Sequence, residues 1–119
     1  MTWEIEYTDE FKSWWDTVTE KQQNDIVAVV NLLTEKGTNL SFPYSSGIMG
    51  SKHSQMRELR VQSGGKPLRI FYAFDPRRTA ILLIGGDKTG DDRFYDTYIP
   101  IADRLYDIYL EEIKNEGLI

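Results

Sequence analysis

The sequence predicts an α+β domain in which an antiparallel sheet, an N-terminal strand plus a three-strand meander, packs on a helical hairpin and is followed by a C-terminal helix. Three observations carry this. The first 37 residues alternate once and then turn helical, the middle third holds three β-rich runs separated by turn signals, and the last third returns to helical spacing. At 119 residues the chain reads as one domain, residues 1–119, large enough for a sizeable core.

Trp3, Ile5 and Tyr7 alternate with Glu4 and Glu6, the period of a half-buried strand. Thr8 followed by Asp9 and Glu10 is a helix start, with a hydroxyl cap and acids in the positive first turn. Phe11, Trp14, Trp15 and Val18 then form one stripe, and core packing explains both tryptophans. Thr19 with Gln22 is a capping box for a second helix, whose apolar face is Ile26, Val29, Val30 and Leu33 and whose end is Gly37. Thr38 to Ser51 reads as loop. Met56 to Gln62, Leu68 to Asp75 and Thr79 to Gly85 read as strands. Gly64-Gly65 suits a two-residue hairpin, because glycine accepts the positive φ angles of the primed turns. Asp75-Pro76-Arg77-Arg78 is a type I turn. Gly85 to Asp92 is a polar loop, and Pro100 is expected to open the last helix as its first residue, with Ile101, Leu105 and Ile108 along one side.

Composition narrows the chemistry. Apolar residues make up 40% and charged residues 28%, which is ordinary globular composition. There is no cysteine and one histidine, His53, so thiolate chemistry and multi-histidine metal sites are excluded. No apolar run approaches the roughly 18 residues of a membrane span, and no signal-peptide pattern opens the chain. A cytoplasmic protein without a membrane partner is expected. The net charge of −5 argues against nucleic acid at first sight, but it conceals a partition. Between Lys52 and Lys88 lie eight basic and three acidic residues, +5, against six basic and sixteen acidic elsewhere, −10.

With Gly64-Gly65 as the hairpin loop, Val61 faces Leu68, Leu59 faces Ile70, and Arg60 lies directly opposite Arg69. Like charges opposed on a sheet cost a few tenths to about 1 kcal/mol. Either an anion belongs there or Glu58, on the same face, bridges an arginine. That face, with Gln62, Phe71 and Ala73, is expected to be exposed, so Arg69 should be replaceable without loss of fold. The opposite face (Leu59, Val61, Leu68, Ile70, Tyr72, Phe74, Ile81, Leu83) is expected to be the helix-covered core. Lys88, beyond Gly85-Gly86, is expected on the side of Arg69, as a mobile charge or a solvated lysine. Gly86-Asp87-Lys88-Thr89-Gly90 lacks phosphate-loop spacing, and Asp91, Asp92 and Asp96 complete no cation cage. His53 beside Lys52 is a candidate acid or base, or an ordinary loop residue.

Glu58-Leu59-Arg60, the hairpin, Arg69-Ile70-Phe71-Tyr72-Ala73-Phe74-Asp75, the strand ending Gly85-Gly86-Asp87-Lys88, and Ile99-Pro100-x-Ala102-x-x-x-Tyr106 together resemble the RelE/ParE superfamily of type II toxin–antitoxin toxins, in its HigB-like, phage-derived branch. The resemblance implies a toxin that enters the ribosomal A site and cuts mRNA without metal or other cofactor. In that chemistry the RNA 2′-OH attacks the adjacent phosphate. It also implies a cognate helix-turn-helix antitoxin. Carried over by position, Arg60 and Arg69 would grip the scissile phosphate and Lys88 would act electrostatically or as acid or base. Lys52, His53, Arg57, Arg77 and Arg78 would hold flanking RNA. The family's usual basic character is absent here. The tyrosine some relatives use has four candidates, Tyr95, Tyr98, Tyr106 and Tyr109. The alternatives are a ParE-like toxin that binds DNA gyrase and cuts nothing, and an inactive relative that only binds its antitoxin.

Overall fold

A computed structural model describes residues 2–119. The elements are β1 (Ile5–Tyr7), α1 (Asp9–Trp15), α2 (Glu20–Lys36), a 3-10 turn (Gly37–Asn39), β2 (Ser45–Gly47), β3 (Arg57–Ser63), β4 (Lys66–Phe74), β5 (Ala80–Asp87) and α3 (Phe94–Asn115). They build a five-stranded sheet in the order β1-β5-β4-β3-β2, with β1 parallel to β5 and every other pair antiparallel.

Both N-terminal caps form as the sequence predicts. The Thr8 hydroxyl accepts from Phe11 N at 3.0 Å and donates to the Leu83 carbonyl at 2.6 Å, tying the start of α1 to β5. Thr19 and Gln22 make the reciprocal capping box. Gly37 ends α2 at φ 55°, and no other residue fits, because a Cβ there would lie 2.0 Å from the Trp3 ring. Gly64 and Gly65 both take positive φ, and the β3–β4 register follows: Arg60 pairs with Arg69, Leu59 with Ile70 and Val61 with Leu68. At the far end Arg78 N donates to the Asp75 carbonyl at 2.7 Å and Arg78 itself is left-handed, φ 68°, which completes the expected turn.

Three expectations are corrected. The Thr38 to Ser51 stretch contains β2, a short edge strand on β3. The last helix begins at Phe94, with Pro100 inside it. Burial of Phe94, and stacking of Tyr98 on Phe71 and Phe94, outweigh the one helical hydrogen bond that Pro100 cannot make. Finally, both faces of the sheet are covered. α1 and α2 pack on Leu59, Val61, Leu68, Ile70, Tyr72 and Leu82, whereas α3 packs on Phe71, Ala73, Ile81 and Leu83. Ile81 and Leu83 therefore belong to the α3 side. The turn pairs Ala73 with Ile81, and a bulge opposite Phe71 and Tyr72 puts Leu83 and Ile84 both toward α3.

The consecutive glycines of β5 separate the two layers. A Cβ on Gly85 would meet the Trp14 ring at 2.3 Å, and one on Gly86 would meet Tyr98 at 2.8 Å and Phe94 at 2.9 Å. Gly86→Ala is expected to destabilise by about 1–3 kcal/mol through overpacking, read as a lower urea midpoint at unchanged slope.

Candidate active site

Arg60 on β3 and Arg69 on β4 are directly opposed on the α3 side of the sheet, and Glu58 lies between them. Its carboxylate is 3.3 Å from Arg60 Nη1 and 3.6 Å from Arg69 Nε. It also accepts from Ser46 Oγ at 2.9 Å and Tyr95 Oη at 2.7 Å. The like-charge opposition is thus relieved by an acid from the same strand. Tyr95 comes from the first turn of α3, and Lys88 Nζ lies 5.2 Å above its ring. Burial raises the Tyr95 hydroxyl pKa, its hydrogen bond to Glu58 adds to this, and the neighbouring Arg69 only partly opposes it. Tyr95 therefore remains a donor across the physiological range.

Arg69 is not on an exposed face, as alternation suggested. It is 4% exposed, because α3 roofs that end of the sheet. Arg69 Nη1 donates to the Leu68 carbonyl at 3.0 Å, while its buried Nε makes no hydrogen bond within the chain. Arg60 is more open, and its guanidinium lies 5.2 Å from the centroid of Phe42, a ring that is 70% exposed. A cleft of about 250 Å³ between Ile48, Met49, Glu58 and Tyr95 leads to the cluster. An open guanidinium, a buried unsatisfied N–H, an ammonium and a carboxylate acceptor together suit a phosphate whose charge changes during reaction.

The other cationic candidates lie elsewhere. Lys52 and His53 are fastened to α3: Lys52 Nζ lies 2.5 Å from Asp107, His53 Nε2 lies 2.8 Å from the same carboxylate, and the His53 ring stands edge-on to Tyr106. The Asp103 carboxylate accepts from Ser51 Oγ and Lys52 N, anchoring the same loop. Lys52 and Asp107 hold one another charged, raising the lysine pKa and lowering that of the acid. Arg57 emerges on the opposite face of β3 from Arg60, donating to Ser45 Oγ at 3.0 Å. Arg78 packs 4.8 Å over the Trp3 ring.

Arg77 belongs to a structural cluster at the far end of β4, where it contacts Asp75, Glu6 and Tyr109. Burial opposes ionisation of Asp75, but bonds from Tyr109, the Thr79 N–H and Arg77 outweigh it, so its pKa is lowered. A lowered carboxyl stabilises the fold above the unfolded value of about 4 and loses that contribution as pH falls through the folded one. Asp75→Asn is expected to cost about 2 kcal/mol at neutral pH and to flatten the fall in urea stability toward acid.

Of the four tyrosine candidates, only Tyr95 touches the arginine cluster. Tyr98 stacks on Phe71, Tyr106 donates to the Phe74 carbonyl at 2.8 Å, and Tyr109 serves Asp75. Nothing in the sequence distinguishes Tyr95, because Pro100 masks a helix start six residues earlier. Phe42 and Ser46 carry no signal in the sequence either, because both lie in a stretch with loop composition.

Residues 13–107 match the family described as "Phage derived protein Gp49-like (DUF891)". The chain is 36% identical over 105 residues to the "Putative toxin HigB3" of Mycobacterium tuberculosis, covering 87% of this chain and 90% of the relative. It is 32% identical over 109 residues to HigB2 of the same organism, covering 90% of this chain and 54% of that longer protein. Among solved structures, a mutant of the E. coli toxin RelE in the free state superposes with a TM-score of 0.59 at 8% identity, over 82% of this chain and 96% of RelE. A chain of the RelE–RelB complex from Pyrococcus horikoshii gives 0.56 at 9% identity, over 76% and 99%. The fold is that of RelE, and no helix among the described residues is long and apolar enough to cross a membrane. With the family match spanning most of the chain and two HigB proteins above 30% identity, this chain belongs to the phage-derived Gp49-like family and is a HigB-like toxin.

Proposed function

We propose that the toxin is a ribosome-dependent mRNA endonuclease of a type II toxin–antitoxin system. The single observation that carries this reading is the opposed Arg60–Arg69 pair with the Glu58 carboxylate between them. In the free protein Glu58 occupies the place an anion would take; a bound phosphodiester replaces it as the partner of both guanidiniums. Released from the arginines, Glu58 is the one proton acceptor in a cluster otherwise made of Arg, Lys and Tyr.

The steps then balance without a metal. Glu58 takes the proton of the RNA 2′-OH, whose oxygen attacks the adjacent phosphorus. The bond to the 5′-oxygen breaks, Lys88 donates a proton to that leaving oxygen, and a 2′,3′-cyclic phosphate and a 5′-OH result. Arg60 and Arg69 meet the extra negative charge of the phosphorane. Tyr95 orients Glu58, and the exposed Phe42 ring offers a face for a base beside the scissile phosphate. Lys52, His53, Arg57, Arg77 and Arg78 contact flanking RNA only at a distance from this centre.

The acidic balance of the chain leaves long-range attraction to the ribosome weak, so A-site docking rests on local fit. Neutralisation would fall to a helix-turn-helix antitoxin in the same cytoplasm. The archaeal neighbour solved with RelB and the HigB relative support an antitoxin partner. The test is end analysis of mRNA exposed to the toxin during translation. The reading requires 5′-OH fragments whose 3′ ends resist ligation until the cyclic phosphate is opened and removed to leave a 3′-OH. Intact mRNA with halted replication would move the assignment to gyrase binding, and intact mRNA with neither effect to antitoxin binding alone.

A further inference from the structure

Phe42 stands at one end of a row of side chains. Its ring, 70% exposed, lies against the Arg60 guanidinium at 5.2 Å, so one face meets the arginine and the other is free. From there the contacts run from Arg60 to Glu58 at 3.3 Å, from Glu58 to Tyr95 at 2.7 Å, and from the Tyr95 ring to Lys88 Nζ at 5.2 Å. The order follows from the sheet. Phe42 precedes the edge strand β2, Arg60 and Glu58 lie on β3, and Lys88 follows β5, on the other side of β4. The backbone holds Phe42 in place: Tyr44 N and Ser45 N both donate to the Ser41 carbonyl, at 3.0 and 3.1 Å, and Arg60 N donates to the Tyr44 carbonyl at 2.8 Å. An exposed ring backed by a guanidinium is the pairing on which unpaired nucleobases stack.

We infer that Phe42 is the stacking platform for one particular base, that of the nucleotide whose 2′-OH attacks, on the 5′ side of the cut. The inference rests on the nuclease reading, in which Glu58 takes the 2′-OH proton and Lys88 protonates the leaving 5′-oxygen. In RNA the 2′-OH and its base belong to one nucleotide and the leaving oxygen to the next. The first nucleotide therefore lies toward the Glu58 end of the row and the second toward the Lys88 end, with the scissile phosphate on the arginines. Phe42 adjoins the first end. The rings nearest Lys88 are already taken, since Tyr95 and Tyr98 pack against Phe71 and Phe94. The RNA thus runs 5′ to 3′ from Phe42 toward Lys88. The site also selects an unpaired nucleotide, because a base held in a duplex cannot turn onto the ring.

The test measures coupling between the ring and the base. Cleavage of ribosome-bound mRNA by wild type, Phe42→Ala and Phe42→Trp is followed on three versions of one message: unmodified, abasic at the nucleotide 5′ of the mapped cut, and abasic at the nucleotide 3′ of it. Each abasic residue keeps its ribose 2′-OH. Loss of the 5′ base is expected to lower kcat/KM of wild type and of Phe42→Trp by at least about fivefold, and to change that of Phe42→Ala by less than about twofold. Loss of the 3′ base is expected to act on all three proteins alike. Phe42 is exposed, so both variants are expected to keep the fold, checked by circular dichroism. A ring that merely braces Arg60 would give equal losses in wild type and Phe42→Ala at the 5′ position. That result, or coupling at the 3′ position instead, would overturn the assignment and leave the nuclease reading standing. Unmodified message left intact by the wild-type protein would overturn both.

Discussion

Arg69→Ala is expected to lower ribosome-dependent mRNA cleavage by about 10²–10³-fold, the usual effect of removing one preorganised charge donor from a transition state. It is also expected to cost about 2–3 kcal/mol of stability. That second effect follows from the burial of the Arg69–Glu58 pair, in which each side chain is 5% exposed. Without Arg69 the carboxylate keeps Ser46, Tyr95 and Arg60, which limits the loss. Cleavage must therefore be compared at equal folded fractions, set by circular dichroism. Activity retained by a well-folded Arg69→Ala protein would remove this residue from the chemistry.

The second large effect is expected for Glu58→Gln. The amide keeps the shape of the side chain and an oxygen for the Tyr95 hydroxyl, but it neither neutralises the arginines nor accepts a proton. Turnover is expected to fall about 10²–10⁴-fold, the range for loss of a general base. Affinity for the ribosome–mRNA complex is expected to rise, because the carboxylate no longer competes with phosphate for Arg60 and Arg69. A fall in kcat with a lower KM is the signature; a purely structural Glu58 would leave kcat within about threefold. Rate and affinity moving in opposite directions separate the two roles better than either alone.

The arginine pair was legible in the sequence because Gly64-Gly65 suits a two-residue primed turn, and a two-residue loop sets the register of every residue on β3 and β4. The helix caps were legible for the same reason: Thr8, Thr19 and Gly37 each satisfy a local demand of the backbone. What escaped was tertiary. Alternation assigns Arg69 to a face, but it does not say whether that face is covered. The runs Leu68 to Phe74 and Ala80 to Ile84 are apolar on both sides, the mark of a doubly buried strand, and they contained the signal for α3 that Pro100 obscured. Gly85-Gly86 was read as room for a close approach, which is correct, although what approaches is Trp14, Phe94 and Tyr98. The basic count between Lys52 and Lys88 pointed to one cationic face. The fold instead spends Lys52 and His53 on α3, Arg77 on Asp75 and Arg78 on Trp3. Net charge over a segment carries no information about which ends of antiparallel strands its residues occupy.

Cleavage of mRNA on the ribosome by the cluster of Arg60, Arg69 and Glu58 has one decisive measurement. Primer extension on a translated mRNA in a purified translation reaction tests it most directly, comparing wild type, Arg69→Ala and Glu58→Gln with and without ribosomes. Cuts that require ribosomes and are lost from both variants are expected. Intact mRNA with the folded wild-type protein, or cuts that persist in both variants, would contradict it.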